Sequence, residues 1–424
     1  MNQDNKDPQL KLLNQGTFGC IFKPGIDCNG QIQTDKQFIT KIQNSKNTSE
    51  NEVHIGELIQ SIPKYERFFS PIIENCQVDL SIIQNNEINK CDFIKDNKNN
   101  NKPLKFESNI IKYAGKNTLF EYYEHTQNHG IKLLEHICNS HIRLLTALNK
   151  LNEQNIIHYD LKQNNIMCKT NGNPIIIDFG ISIDTTIINP DNYIDLFYAY
   201  GPEYVPWCID IHVISKIVRT GNWRGLTIDM PFISSIIDDF FTKNAEINKL
   251  FDDNEKTLLR KTYNEYFKTI IGSAGAGGSA GAGGSAGAGG SAAVGIISQY
   301  FSQESSNAIT IINTLLQNSK CWDNYSIAFI YLRLIHIFKL DSNNTETNDI
   351  MFLKEYIIEL KQIIMASPDK RLLPLITKNT IKQIFAYIKK QDIIKIKNKV
   401  LNNDNFKKSI EKIQKYKTQS IRLI

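Results

Sequence analysis

The order of apolar and polar positions changes character once along the chain. Over the first hundred residues, short alternating runs such as QFITKIQ and SPIIENC are separated by turn-rich polar stretches, the pattern of half-buried strands. DNKNNNKP, residues 96–103, reads as a polar loop. From Gly130 the period lengthens: GIKLLEHICNSHIRLLTALNKLNEQ carries Leu and Ile at helical spacing and predicts a long, mostly buried helix. Beyond Asp210 the pattern is predominantly helical. Strands first and helices afterwards predict an α+β architecture of two lobes, a small β-rich one and a larger helical one.

One stretch fits neither period. GSAGAGGSAGAGGSAGAGGSA, residues 272–292, repeats six small residues that bury no core and are expected to form no regular element. It reads as an engineered linker in place of a removed loop, with a random-coil reach of roughly 25 Å.

Composition sets the class. With 424 residues, 41% hydrophobic and 22% charged, the chain is globular and large enough for one two-lobed unit or two domains. No apolar run approaches the roughly 18 residues of a spanning helix, and MNQDNKDPQL is too polar for a secretory signal. A soluble cytoplasmic or nuclear protein without membrane contact is expected. The eight cysteines lie far apart with no CxxC pair, so reduced thiols in a reducing compartment are expected. The net charge of +5 is uneven: residues 376–424 hold 13 Lys/Arg and 3 Asp/Glu, or +10. That tail leaves nucleic acid open as a partner. The helical spacing of Ile, Phe and Val in IKQIFAYIKKQDIIKIKNKVL favours instead the solvated face of a packed helix.

The candidate chemistry centres on IIHYDLKQNNIM, residues 156–167, where Asp160 follows His158 by two and Lys162 and Asn165 follow at fixed steps. Four other stretches supply what a phosphate-handling site needs. In LLNQGTFGCIFKP, Gly16 and Gly19 bracket Thr17 and Phe18 in a hairpin whose backbone N–H groups can approach phosphate oxygens. Lys41 sits inside the alternating strand FITKI and needs an anionic partner if buried. SENEVHIGELIQSI offers Glu52 first and Glu57 second, on a helix that Ser49 is expected to cap. NPIIIDFGIS ends an apolar strand in Asp178 beside Gly180, and with Asn165 offers oxygen ligands for a hard cation.

HYDLKQNN, IDFG, the glycine loop, Lys41 and Glu52 stand in the order of the eukaryotic-type protein kinases, and the chain resembles the serine/threonine branch of that family. The resemblance implies the bilobal kinase fold, with ATP and Mg²⁺ or Mn²⁺ as cofactors and a protein Ser or Thr as acceptor. Asn14, Gly16, Thr17, Phe18, Gly19 and Ile21 would cover the nucleotide, with Ile111 as gatekeeper and Lys112, Tyr113 and Ala114 in the hinge. Lys41, paired with Glu52, would hold phosphates. Asp160 would face the acceptor hydroxyl, Lys162 the γ-phosphate, and Asn165 and Asp178 the metal. SPDKR would place Arg371 against a carboxylate closing the activation segment, with Glu203 preferred over Asp210. Asp323 in CWDNYSIAFIYL would receive backbone N–H groups of the catalytic loop, with Asp210 as the competing reading for that role.

Implied bounds are an N-lobe with hinge at 1–115, catalytic and activation segments at 116–214, an insertion at 215–318 containing the linker, and helices with the basic tail at 319–424. The chain departs from the family at Asn14, which replaces a loop glycine, and at Tyr159, which replaces an arginine that reads activation-loop phosphate. Thr185, Thr186, Tyr193, Tyr198 and Tyr200 remain modification candidates. The insertion and the Ile/Asn/Lys bias resemble kinases of large DNA viruses or AT-rich protists, which would add a virion or infected cell to the expected locations. A nucleotide-binding pseudokinase and a small-molecule kinase of related fold are the competing readings.

Overall fold

The computed structural model describes residues 9–16, 19–43, 46–80, 83, 85–98, 105–126, 131–276, 305–338 and 347–386. Thr17 and Phe18, most of the polar loop at 96–103, the linker from residue 277 and the basic tail from residue 387 lie outside them.

The alternating runs become an antiparallel sheet. Its strands are β1 (Lys11–Gly16), β2 (Gly19–Lys23), β3 (Phe38–Gln43), then, after α1 (Lys46–Gln60) and β4 (Phe69–Ser70), β5 (Ile72–Asp79), and, after α2 (Asp92–Lys98), β6 (Lys105–Lys112). The sheet order is β1-β2-β3-β6-β5, so Lys41 stands in a central strand opposite Ile21 on one side and Asn109 on the other. Glycine is required at Gly19: with φ +154°, a Cβ there would lie 2.0 Å from the Ile42 carbonyl oxygen. Phe22, Ile42, Val78, Leu80 and Phe106 form the core of this lobe.

Ser49 lies inside α1 and does not cap it. It is buried, and its hydroxyl takes part in a polar cluster with Asn75 and Asn109. The cysteine expectation fails for four residues. Cys20–Cys91 and Cys28–Cys76 are disulfides, while Cys138, Cys168, Cys208 and Cys321 are free and buried. Pairings across 71 and 48 residues have no sequence spacing to betray them, and only the fold brings the partners together.

The second lobe begins with β7 (Asn117–Thr118), α3 (Leu119–Thr126) and the long helix α4 (Ile131–Glu153). Short strands follow: β8 (Ile156–Ile157), β9 (Ile166–Cys168), β10 (Pro174–Ile177) and β11 (Ile183–Asp184). β10 pairs with β4 in parallel and with β9 antiparallel, which anchors the ends of both candidate loops in one sheet. Then come α5 (Tyr193–Leu196), α6 (Ile209–Val218), β12 (Thr227–Asp229), α7 (Met230–Lys243), α8 (Ala245–Leu250), α9 (Asp253–Ala276), β13 (Ser305–Asn307), α10 (Ala308–Leu316), α11 (Trp322–Ile337) and α12 (Thr347–Met365). A last helix spans 374–386.

Helix α9 runs through the first residues of the small-residue stretch, which was expected to form no regular element; elongation from an established helix costs far less than nucleation. α6 crosses the expected insertion boundary at 215, and Ile233, Ile236, Phe240, Tyr263, Phe267, Ile311 and Leu315 belong to the same core as α4, α11 and α12. No helix of the described residues is long and apolar enough to cross a membrane.

A buried ion pair ties this lobe together. Arg371 donates to Asp210 at 2.9 and 3.2 Å, both side chains 0% accessible. Glu203, the preferred partner in the sequence reading, lies elsewhere, beside Lys162 at the rim of a cleft. Asp210 wins because it opens α6, which is buried along nearly all its length, whereas Glu203 stays at the surface.

Candidate active site

Four segments distant in sequence meet between the lobes. Lys41 Nζ donates to Glu52 Oε2 at 2.8 Å and to Asp178 Oδ1 at 3.2 Å. Burial works against the Lys41 charge, but the two carboxylates outweigh it and hold the ammonium above its ordinary range. Burial likewise opposes the charge on Asp178, and Lys41 overcomes it, keeping that carboxyl below the usual range. Glu52 is 3% accessible and Asp178 44%, so the pair joins a fixed anchor to a carboxylate that faces the cleft. Glu57, the second choice, lines a different pocket with His54 and Glu107.

Local backbone conformation aims these groups. Asp178 and Tyr159 both adopt left-handed angles, φ 63° and 68°, which non-glycine residues avoid unless their surroundings compensate. For Tyr159 the compensation is Asp323 at the start of α11, which accepts the His158 N–H at 2.7 Å and the Tyr159 N–H at 3.0 Å. For Asp178 it is Phe179, 1% exposed, with its ring against Phe69 and His158. Burying Phe179 leaves its neighbour on the Lys41 side.

Asp160 is held from three directions. Lys162 Nζ donates to Oδ2 at 2.9 Å, Asn165 Nδ2 donates to the same oxygen at 3.1 Å and to the Asp160 carbonyl at 2.8 Å, and the Tyr204 hydroxyl donates to Oδ1. Tyr204 carried no sequence signal, since its role exists only once the chain from 178 to 210 folds back over Asp160. Asn51 and His54 were also missed. Asn51 donates to the Gly180 and Ser182 carbonyls at 3.2 and 3.0 Å, and His54 Nε2 lies 3.0 Å from Asp184 Oδ2. Asn51 and His54 stand three residues apart on one face of α1, but one and two residues from Glu52, so the helical spacing that marks the face of Glu52 did not point to them.

In the glycine hairpin Gly16 lies opposite Gly19, and β2 sets Ile21 beside Lys41 of β3. Asn14 occupies an irregularity in the β1–β2 pairing and accepts the Gln15 N–H at 2.9 Å. Ile111 ends β6 opposite Ile39 and Ile72. Lys112 is exposed, Tyr113 donates its N–H to the Gln37 carbonyl at 2.7 Å, and Ala114 is half-buried. Among the modification candidates, Tyr193 is buried, the Thr185 and Thr186 hydroxyls are bonded to the Asn155 carbonyl and Asp184, and Tyr198 is 51% exposed.

The donor set suits a hard cation with a polyphosphate. The amide nitrogen of Asn165 is engaged on Asp160, so its oxygen is the free donor, and Asp178 offers a low-lying carboxylate at the cleft. Among the described residues there is no cluster of three or more His, Cys, Asp or Glu able to hold a metal ion. Beside Asp160, a cleft of about 250 Å³ is walled by Lys162, Glu203, Tyr204, Pro206, Phe329 and Arg333.

Residues 9–203 match the protein kinase domain family. Serine/threonine-protein kinase SKS1 of Saccharomyces cerevisiae is 29% identical over 149 residues, 32% of this chain and 29% of that protein. Sperm motility kinase 2A of Mus musculus is 34% identical over 20% of this chain and 16% of its own length. Mitogen-activated protein kinase pmk-3 of Caenorhabditis elegans is 28% identical over 24% and 22%. The matched stretches thus span less than a third of each relative. The β-rich first lobe and the helical second lobe are consistent with the bilobal α+β fold of that family, which the match covers over residues 9–203.

Proposed function

We propose that this protein transfers the γ-phosphoryl group of ATP to Ser or Thr hydroxyls of protein substrates. The observation that carries the reading is the joint placement of Lys41, Glu52 and Asp178 in one ion-paired cluster and of Asn165 and Lys162 on Asp160, with Lys162 near enough to help lower the Asp178 carboxyl. Lys41, fixed by Glu52, binds the nucleotide phosphates. Asp178 and Asn165 would hold Mg²⁺, which would supply charge neutralisation on the phosphates. Asp160 orients the acceptor hydroxyl and takes its proton, and Lys162 offsets negative charge on the transferring group. Because the protein does little covalent chemistry in such a transfer, positioning and electrostatics carry the rate.

A second reading, nucleotide binding without transfer, is favoured by one observation: the Tyr204 hydroxyl already occupies Asp160 Oδ1. The four disulfide cysteines also withdraw the cysteine-based reason for a reducing compartment.

The test is transfer of labelled γ-phosphate from Mg-ATP to generic basic and acidic proteins and to the chain itself, beside Asp160→Asn. Label on Ser/Thr that drops by about 10²-fold or more in the variant supports the kinase reading. Thermal stabilisation by ATP without any transfer supports the second.

A further inference from the structure

Between Asp210 and Trp322 the chain detours through helices α6 to α10, and residues of this detour touch the loop at points from Pro190 to Asp210. Arg219, just past α6, donates to the Tyr198 carbonyl at 2.7 Å. Asp239 of α7 accepts the Tyr200 hydroxyl at 2.9 Å, and Lys216 lies 4.9 Å over the same ring. Asn244, fully buried between α7 and α8, reaches the Pro202 carbonyl at 3.4 Å. Asn313 of α10 accepts the Tyr193 hydroxyl at 2.5 Å. At the far end, Tyr263 of α9 donates to Asp210 at 3.1 Å and accepts from Arg371 at 2.6 Å.

These contacts lie on both sides of Glu203 and Tyr204, which wall the cleft beside Asp160. A surface loop needs something to order it, and a phosphate paired with arginine is one common means. Here the residue preceding Asp160 is Tyr159, whose ring is buried against Phe197, Trp207 and Trp322. Among the described residues, the arginines that reach the loop are already engaged: Arg219 on the Tyr198 carbonyl, Arg224 on the Pro190 carbonyl and on Asp191 at 2.7 Å, and Arg371 on Asp210.

We propose that the helices inserted between Asp210 and Trp322 are a built-in brace, holding the acceptor-side wall at Glu203–Pro206 in place without phosphorylation of the loop. This rests on the protein-kinase reading. Arg219 and Asp239 are then positioning residues that act on acceptor binding and leave the nucleotide side, built on Lys41 and Asp178, untouched.

The experiment uses the full chain after phosphatase treatment, with a generic basic protein as acceptor. Acceptor and ATP are varied separately for wild type, the double variant Arg219→Ala/Asp239→Ala and the conservative Arg219→Lys, and amide hydrogen exchange is followed over residues 190–210. Dephosphorylated wild type should keep its activity within about twofold and show slow exchange in the loop. The double variant should lose roughly tenfold in kcat/KM for the acceptor, with KM for ATP within about twofold and exchange accelerated in the loop alone. Arg219→Lys should recover part of the loss. Activity abolished by phosphatase overturns the proposal, as does a double variant unchanged in both acceptor kinetics and exchange. A parallel loss on the ATP and acceptor sides would show a general structural role and overturn it too. If no form transfers phosphate, the kinase reading fails, and exchange alone decides the brace: slow exchange released by the double variant supports it, and fast exchange in wild type removes it.

Discussion

At the scale of single residues, the site depends on groups whose task is to hold other groups. Asp323 never faces the cleft, yet it accepts two successive backbone N–H groups from the loop that carries Asp160. Those hydrogen bonds hold Tyr159 in a left-handed conformation that its side chain would otherwise disfavour. Asp323→Asn keeps the shape but replaces one acceptor oxygen by a donor facing an N–H. A displacement of about 1 Å in Asp160 is enough to cost roughly 10²-fold in rate. The expected outcome is a loss of that order in kcat with KM for ATP nearly unchanged, read by single-turnover transfer. Equal losses in both constants would mean that the whole lobe had loosened.

At the scale of elements, the Arg371–Asp210 pair joins the end of the loop to the turn before the last described helix, and Tyr263 completes it from α9. Both charges are fully out of water, where removing one partner leaves the other uncompensated. Arg371→Leu should therefore destabilise the protein by about 3–5 kcal/mol, read as a lower urea midpoint. Arg371→Leu with Asp210→Leu should recover much of that loss, because the desolvation penalty of the stranded carboxylate disappears. A double variant as unstable as the single one would show that the pair contributes geometry beyond its charge.

At the scale of the whole molecule, two buried histidines tie stability to pH. His141 stacks on Tyr331 and bonds the Tyr356 hydroxyl, and burial pushes it down to about 3. His212 is enclosed by Tyr200, Trp207 and Phe240, and burial pushes it down to about 4. Both folded values lie below the unfolded value of about 6.5, so on acidification the unfolded chain takes up protons that the folded chain refuses. Their stabilising contribution is full above pH about 6.5 and falls as pH drops toward the folded values. Each histidine adds a slope of up to about 1.4 kcal/mol per pH unit in that window. Urea midpoints measured from pH 7.5 to 4.5 should fall accordingly, and His212→Phe should flatten part of the slope. A profile unchanged in that variant would place the acid sensitivity elsewhere.

The sequence by itself determined the elements and the chemical inventory. Period 2 and period 3.6 separated the lobes because pleat and helix impose those repeats on whatever face is buried, and the motif spacing offered Asp160, Asn165 and Asp178 as candidates on short loops, with Lys41 on a strand and Glu52 on a helix. What only the tertiary structure decided are the contacts between segments far apart in the chain. Asp210 rather than Glu203 receives Arg371, four cysteines pair across the small lobe, Tyr204 lies on Asp160, and Arg219 reaches the Tyr198 carbonyl. Periodicity records which face of an element is buried but not which distant element buries it, and groups that meet across separations of 21 to 161 residues leave no local pattern.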